Sequence, residues 1–369
     1  MSVSLLDLFP TPTYLAQPVL GLDISDNSIK FVEFLRKKGG FELGRFGERV
    51  LPEGTLENGK IQKPEEVKQV LFKLHEELRL RTAFVSVMEE QGYLLRLRVP
   101  VKTESEIHEA IELQLEEHIP LPPTEIIFDY DIFSRPHDGA EYYDVSVSAF
   151  PREVAESYYD VIAGGGFEPL ALEIESHALG RALMPQGDLG TAMLVDLGAH
   201  RTGVAIVSDG VVAFSSTVPV GGENFTHVLE KELNLSHEKA EELKREKGIS
   251  RGSDSKNLFS FFVPLLSVFR DEISKQYAYW HSHAYESGVE RKKIERIILS
   301  GRGANMRGIA DYLSSSLGVP VAIGNPWSNS VSFLRTVPAM PAQDSLGFTV
   351  AIGLTQRAFN ENGALVLHI

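Results

Sequence analysis

The stretch Ala192-Met-Leu-Val-Asp196-Leu-Gly198-Ala-His-Arg-Thr202-Gly-Val-Ala-Ile-Val207 decides the fold of this chain. An apolar run too short for a helix stops at an acidic residue, turns at a glycine and resumes as a β-branched run, which is the pattern of a buried hairpin. A carboxylate at a strand end beside small residues can hold a hydrated Mg²⁺, and the turn amides with Thr202 can face phosphate oxygens. Alone, such a hairpin says little. A second copy lies near the N-terminus: Val19-Leu-Gly-Leu-Asp23-Ile-Ser25-Asp-Asn-Ser28-Ile-Lys30-Phe-Val-Glu-Phe34. Laying Asp23 on Asp196 sets Ser25 on Gly198 and Phe31-Val32 on Val204-Ala205. The offset, about half the chain, is too long for a solenoid period and suits a duplicated domain. Two related domains would then present their acid-bearing turns to one another across a cleft, where ligands commonly bind. A third element, Ile297-Ile-Leu-Ser300-Gly301-Arg302-Gly303-Ala304-Asn305-Met-Arg-Gly308, runs from a buried strand into a glycine-rich turn and a helix through Ile309, Leu313 and Leu317. Glycine lets backbone approach a ligand, and a helix N-terminus favours anions.

The order of these three elements resembles the actin/Hsp70/FtsA superfamily of nucleotide-binding proteins, and within it the PilM family of type IV pilus assembly. The most PilM-like run is Glu106-Ile-His-Glu-Ala-Ile-Glu-Leu-Gln-Leu-Glu-Glu-His-Ile-Pro-Leu-Pro-Pro123, followed by Phe128-Asp-Tyr-Asp. It is similar to the subdomain called 1C in PilM and FtsA, an interaction module outside the nucleotide site. The resemblance implies an α/β, actin-like (ribonuclease H-like) duplicated two-domain fold with an inserted 1C subdomain. Residues 1–18 would be a leader, 19–175 domain I with the insert at about 82–150, and 176–369 domain II, whose last helix, about 345–358, returns toward the hinge.

The same resemblance implies ATP and Mg²⁺ in the cleft. Asp23 and Asp196 would hold the metal through water. Ser25, Asn27, Ser28, Lys30, Gly198, Ala199, Thr202, Gly221 and Gly222 would meet the phosphates, with Glu241, Lys244, Gly301, Arg302, Gly303 and Ala304 around the adenosine. Lys30 reads equally as a solvated lysine on an edge strand. Glu241 and Lys244 read equally as the solvated face of a helix of alternating charge. The family carries an acidic pair where this chain has Glu173 and Glu175; a carboxylate there can orient an attacking water or make a structural contact at the domain crossing, and no catalytic base can be named. Three departures bear on ATP affinity and turnover: Arg302 interrupts a glycine run, Ser25 replaces a glycine, and His200-Arg201 replace small polar residues.

The implied role is a cytoplasmic ATP-binding scaffold of a pilus or type II secretion-like machine. It would capture the N-terminal tail of a PilN-like inner-membrane protein beside the inserted subdomain, with pilus motor ATPases as further partners, and sit peripheral to the inner membrane through that partner. Weak ATPase activity is left open. So are an active ATPase or sugar-kinase-like enzyme, a filament-forming FtsA-like cell-division protein, and a scaffold that kept the fold without binding nucleotide.

Bulk properties agree. With 369 residues the chain can bury two cores, and 43% hydrophobic with 24% charged residues is ordinary for a globular protein. A net charge of −15 argues against nucleic-acid or anionic-membrane surfaces, which need basic patches. The absence of cysteine excludes disulfides and fits a reducing compartment. No signal peptide is read, and no run reaches the length of a membrane span; the most apolar helix candidate, 258–269, is short and contains Pro264. The end, 361–369, is not a basic amphipathic helix. Periodicity predicts helices over 64–80, from a Thr103/Glu106 capping box to His118, over 151–163, and over 259–285 with a break near Pro264. His108 with His118, and His281 with His283, are spaced wrongly along one helix to share a metal.

Overall fold

A computed structural model of the chain describes residues 20–37, 40–135, 142–249, 256–283, 285–286, 289–330 and 337–358; the leader 1–18 and the stretch 361–369 lie outside the described residues. The first half opens with β1 (Leu20–Ile24), β2 (Ser28–Lys37) and β3 (Gly40–Val50), then a small hairpin of β4 (Leu56–Glu57) and β5 (Lys60–Ile61) and the helix Pro64–Leu78. After it come β6 (Thr82–Val87), β7 (Tyr93–Val99), the helix Ile107–His118, β8 (Ile126–Ser134), β9 (Tyr143–Pro151), the helix Arg152–Gly164 and β10 (Glu168–Ile174). The helix Glu175–Leu183 crosses to β11 (Ala192–Leu197), β12 (Thr202–Ser208) and β13 (Val211–Val218). Helices Gly222–Leu233, His237–Lys247 and Lys256–Ser282 follow, then a hairpin of β14 (Tyr285–Glu286) and β15 (Val289–Glu290), β16 (Arg296–Ser300), helix Ile309–Leu317, β17 (Val321–Ile323) and helix Thr349–Arg357.

One five-stranded sheet has the order β10-β6-β1-β2-β3 and the other β13-β12-β11-β16-β17. Strand for strand this is one topology used twice. In each, the central strand is antiparallel to the next in sequence and parallel to its other neighbour. The fold of each half is therefore the same, as the repeated hairpin implied. Even the turns match: Ser25 N–H donates to the Ser28 carbonyl at 2.9 Å, and Gly198 N–H to the Arg201 carbonyl at 3.0 Å. Central strands covered on both faces read as mostly apolar runs, and β1 and β6 are buried throughout, Asp23 and Ser86 included.

Strands β7, β9 and β8 form a separate antiparallel sheet that packs on the helix Ile107–His118 through Leu97, Val99, Ile111, Leu115 and Val147. The insert thus starts later than the expected position 82: β6 is a strand of the main sheet, parallel to β1, because its buried face is completed by that sheet's core. Glu106 accepts from Thr103 N–H at 3.2 Å, the expected box, but it caps a short 3₁₀ turn that precedes the helix. Ser146 Oγ of the insert donates to the Val212 carbonyl of β13 at 2.9 Å, so the insert touches both halves.

The expected break at Pro264 does not occur. The helix Lys256–Ser282 runs through it. Pro264 is exposed, on the face of the helix away from the core, while Phe262, Leu266, Phe269 and Ile273 bury the opposite side. Helix Thr349–Arg357 packs on the crossing helix Glu175–Leu183 and on β1, and Thr355 Oγ1 donates to the Val32 carbonyl at 3.0 Å. Phe34 and Val32 share a core with Trp327, Met340 and Phe348. Among the described residues no helix is long and apolar enough to cross a membrane.

Candidate functional site

Between the two sheets lies a cavity of about 740 Å³, within the range that holds a small-molecule ligand. Its floor is made by the ends of the two central strands. Asp23 ends β1, where Ser86 of the parallel strand β6 donates to Oδ1 at 3.0 Å. Asp196 occupies the same place on β11, opposite Ser300 of the parallel strand β16, whose hydroxyl donates to Thr349 Oγ1 at 2.7 Å. The duplication therefore extends to an aspartate beside a serine of the parallel strand in each sheet, though only Ser86 gives its hydroxyl to the carboxylate. It does not extend to charge balance. Asp23 faces Lys30 across the hairpin, with Nζ 3.8 Å from Oδ2, whereas Asp196 faces Gly203.

Burial sets the electrostatics. It raises the Asp23 carboxyl, with Lys30 and Ser86 working against it. It pushes Asp196 up to about 6, Lys30 opposing and Asp23 adding. Glu175, the first residue of the crossing helix, is raised well above the carboxylate range by burial and then by Asp23, Glu89 and Asp196. Glu89, behind it, is pushed up to about 7 by burial despite hydrogen bonds from Ser215 and Ser176. Three crowded carboxyls facing one lysine form a site that gains from a bound cation.

Ser25, Asn27, Ser28, Lys30, Gly198 and Ala199 all line the cavity. Lys30 sits on an interior strand beside Asp23, so the edge-strand reading is corrected. Thr202 is a correction too: its buried hydroxyl donates to the Val220 carbonyl at 2.6 Å, away from the cavity wall. Gly221 stands behind the wall, its N–H on Asn224 Oδ1 at 2.8 Å. Gly222 lines the cavity, but its N–H is given to the Gly198 carbonyl at 2.9 Å, so neither amide is free for a phosphate.

On the opposite side, Gly301, Arg302, Gly303, Glu241 and Lys244 line the wall, and Ala304 is buried beneath it. Gly301 has φ +81, and a Cβ there would lie 2.3 Å from the Leu197 carbonyl oxygen, so only glycine brings this turn against β11. Lys244 is no solvated side chain. Its Nζ donates to the Gly222 carbonyl at 3.0 Å and Thr226 Oγ1 at 2.8 Å, and pairs with Glu241 at 2.5 Å.

Glu173 does not reach the cleft. It is buried against Arg181 at 2.7 and 2.9 Å and Arg357 at 2.7 Å. Burial alone would raise it, but Arg181 and Arg357 hold it down to about 2. Of the two candidate acids only Glu175 faces the cavity.

Sequence reasoning singled out Arg302 and Arg201 but missed the partners they find across the cleft. Arg302 Nη2 donates to Glu48 Oε2 at 2.6 Å, and Arg201 pairs with Glu90 at 2.6 Å and with Asp26. Ser86 went unnoticed as well, although a lone polar residue in an apolar strand was its signal.

A family model described as type IV pilus assembly protein PilM matches residues 21–359. The cell division protein FtsA of Neisseria meningitidis serogroup B is 24% identical over 218 residues, 54% of this chain and 50% of FtsA, so the chain spans about half the length of this curated relative. Among solved structures, the PilM–PilN type IV pilus biogenesis complex superposes with a TM-score of 0.75 at 23% identity, over 94% of this chain and 98% of that one. MreB5 of Spiroplasma citri bound to AMPPNP gives 0.55 at 14% identity, over 94% and 96% of the two chains. The ethanolamine utilization protein EutJ of Carboxydothermus hydrogenoformans gives 0.53 at 16%, over 94% and 90%. The fold is actin-like.

Proposed function

The chain belongs to the type IV pilus assembly protein PilM family, and we propose that it is an actin-like scaffold of pilus assembly that takes ATP with Mg²⁺ into the cleft between its sheets. The observation that carries this reading is the convergence of Asp23 and Asp196, from corresponding strands of the two sheets, on one cavity. A cavity so rich in carboxyls repels a bare triphosphate and accepts one together with a cation. Asp23, backed by Ser86, and Asp196 hold the water shell of the ion. Ser25, Asn27, Ser28, Lys30, Gly198 and Ala199 meet the phosphates, and Glu241, Lys244, Gly301, Arg302 and Gly303 form the nucleoside wall. Magnesium supplies neutralisation of the phosphate charge. Nucleotide bound to MreB5, which has the same fold, supports this use of the cleft. Hydrolysis is not required: a ligand that draws the two halves together orders the cleft by being bound.

The likeness to the PilM–PilN complex supports a partner of the same kind. In this reading the N-terminal cytoplasmic segment of a PilN-like inner-membrane protein docks beside the inserted sheet, which holds the chain at the cytoplasmic face of that membrane. Calorimetric titration of Mg-ATP into the full chain, freed of copurified nucleotide, tests the cleft. Saturable binding that is lost in Asp196→Ala is expected; absence of binding to the unsubstituted chain would overturn the nucleotide reading. Capture of the PilN-like tail peptide with and without Mg-ATP tests the partner.

A further inference from the structure

His227, Glu230 and His237 stand together on the helix pair that forms one side of the cleft. His227 and Glu230 are one turn apart on the helix Gly222–Leu233 and share a face. That helix ends at Asn234, which takes φ +50, and the chain doubles back so that His237, at the start of the next helix, comes alongside. His227 and His237 are ten positions apart, the spacing that keeps His108 and His118 on separate turns of a single helix. Here the reversal removes the separation.

Both rings aim at one carboxylate. His227 Nδ1 lies 2.7 Å from Glu230 Oε2 and His237 Nδ1 2.8 Å from Oε1. Among the described residues this is the set of His, Asp and Glu side chains whose ligand atoms all fall within 4.8 Å of one another. The far nitrogen of His237, Nε2, is 3.7 Å from Glu223 Oε2. A carboxylate behind a metal-binding imidazole is the usual outer partner of such a ligand, orienting the ring and raising its basicity.

We propose that His227, Glu230 and His237 form a surface site for a borderline divalent transition metal, zinc foremost, with Glu223 as the outer carboxylate. Two imidazoles with one carboxylate suit zinc or nickel, whereas magnesium and calcium take oxygen donors. Zinc bonds of about 2.0–2.2 Å hold tetrahedral ligand atoms about 3.3 Å apart. The present N–O separations need widen by only about half an ångström to admit the ion. The two histidine side chains are 63% and 53% exposed and can make that adjustment, leaving a fourth position to water. The bound ion pins the helix bearing Gly222 to the helix bearing Lys244. The three ligands lie outside the lining of the nucleotide cavity, which Glu223 borders, and zinc binding is read without nucleotide, so the site is tested apart from the proposed function.

The test is calorimetric titration of Zn²⁺ into the tag-free, chelator-stripped full chain, with Co²⁺ absorption as a second readout. One equivalent bound at micromolar affinity or better, with tetrahedral Co²⁺ bands, is expected. His237→Ala and His227→Ala should each weaken binding at least tenfold while melting with the unsubstituted chain in the absence of metal; His283→Ala should bind as before. Zinc binding that is equal in the double His227→Ala/His237→Ala variant, or matched by Mg²⁺, would overturn the site.

Discussion

Arg302 and Glu48 meet at 2.6 Å across the cleft, joining the glycine-rich turn of the second sheet to strand β3 of the first. Glu48 is held for this by Ser28 Oγ, which donates to its other oxygen at 2.7 Å. The arginine side chain is 57% exposed, so the pair contributes at most about 1 kcal/mol. Arg302→Ala should therefore leave the urea midpoint nearly unchanged. Because Arg302 also lines the nucleoside wall, Mg-ATP affinity measured by calorimetry should fall by up to about tenfold in this variant. An affinity equal to that of the unsubstituted chain would mean that Arg302 does not touch the nucleotide.

Glu173 gives a stability prediction with a definite pH sign. Its carboxyl is held to about 2 in the folded chain, against an ordinary value of 4.5. The stabilisation is thus present above about pH 4.5 and is lost as the pH falls toward 2. Glu173→Gln leaves Arg181 and Arg357 without their counter-charge and should cost about 3 kcal/mol in urea unfolding at pH 7. The gap between variant and wild type should narrow steadily below pH 4.5.

Asp196 works in the opposite direction. Its folded value of about 6 lies above the ordinary 3.8, so its contribution to stability is full below about pH 3.8 and is lost as the pH rises through 6. Without divalent ions, Asp196→Asn should melt higher than wild type at pH 7.5, and the gain should disappear toward pH 4. Thermal scans at the two pH values check this. A variant that melts lower at pH 7.5 would remove the claim that this carboxylate is held under repulsion.

Two glycines with positive φ separate conformational strain from contact. Gly318 has φ +68 and open space around it, so Gly318→Ala should cost about 1 kcal/mol from backbone strain alone. Gly301→Ala adds a clash with the Leu197 carbonyl and should cost about 3 kcal/mol or more in the urea midpoint. Equal costs would contradict the close approach of the turn to β11.

The repeated hairpins and the glycine-rich turn were legible in the sequence because their signals are local: an acid ending an apolar run, and glycine where backbone crowds backbone. Errors came where local pattern competes with something distant. Thr202 sits in the right stretch, but as the first residue of β12 its side chain turns to the Val220 carbonyl. Glu173 and Glu175, two apart, would share a face in one continuous strand; the change from strand to helix after Ile174 sends one into a buried ion pair and the other to the cavity. Pro264 reads as a breaker until the apolar face opposite it is buried. The bridges across the cleft could not be read at all, since Arg302 finds Glu48 254 positions away and Arg201 finds Glu90 111 positions away.

The bond from Thr355 to Val32 spans 323 positions of the chain. During synthesis at about 5–20 residues per second, roughly 15–65 s therefore pass between Val32 and the helix that covers that face of its sheet. Val32 and Phe34, fully sheltered in the finished molecule, are exposed for that interval. Their cover comes from the helix Thr349–Arg357 and the residues just before it, the other half of the chain.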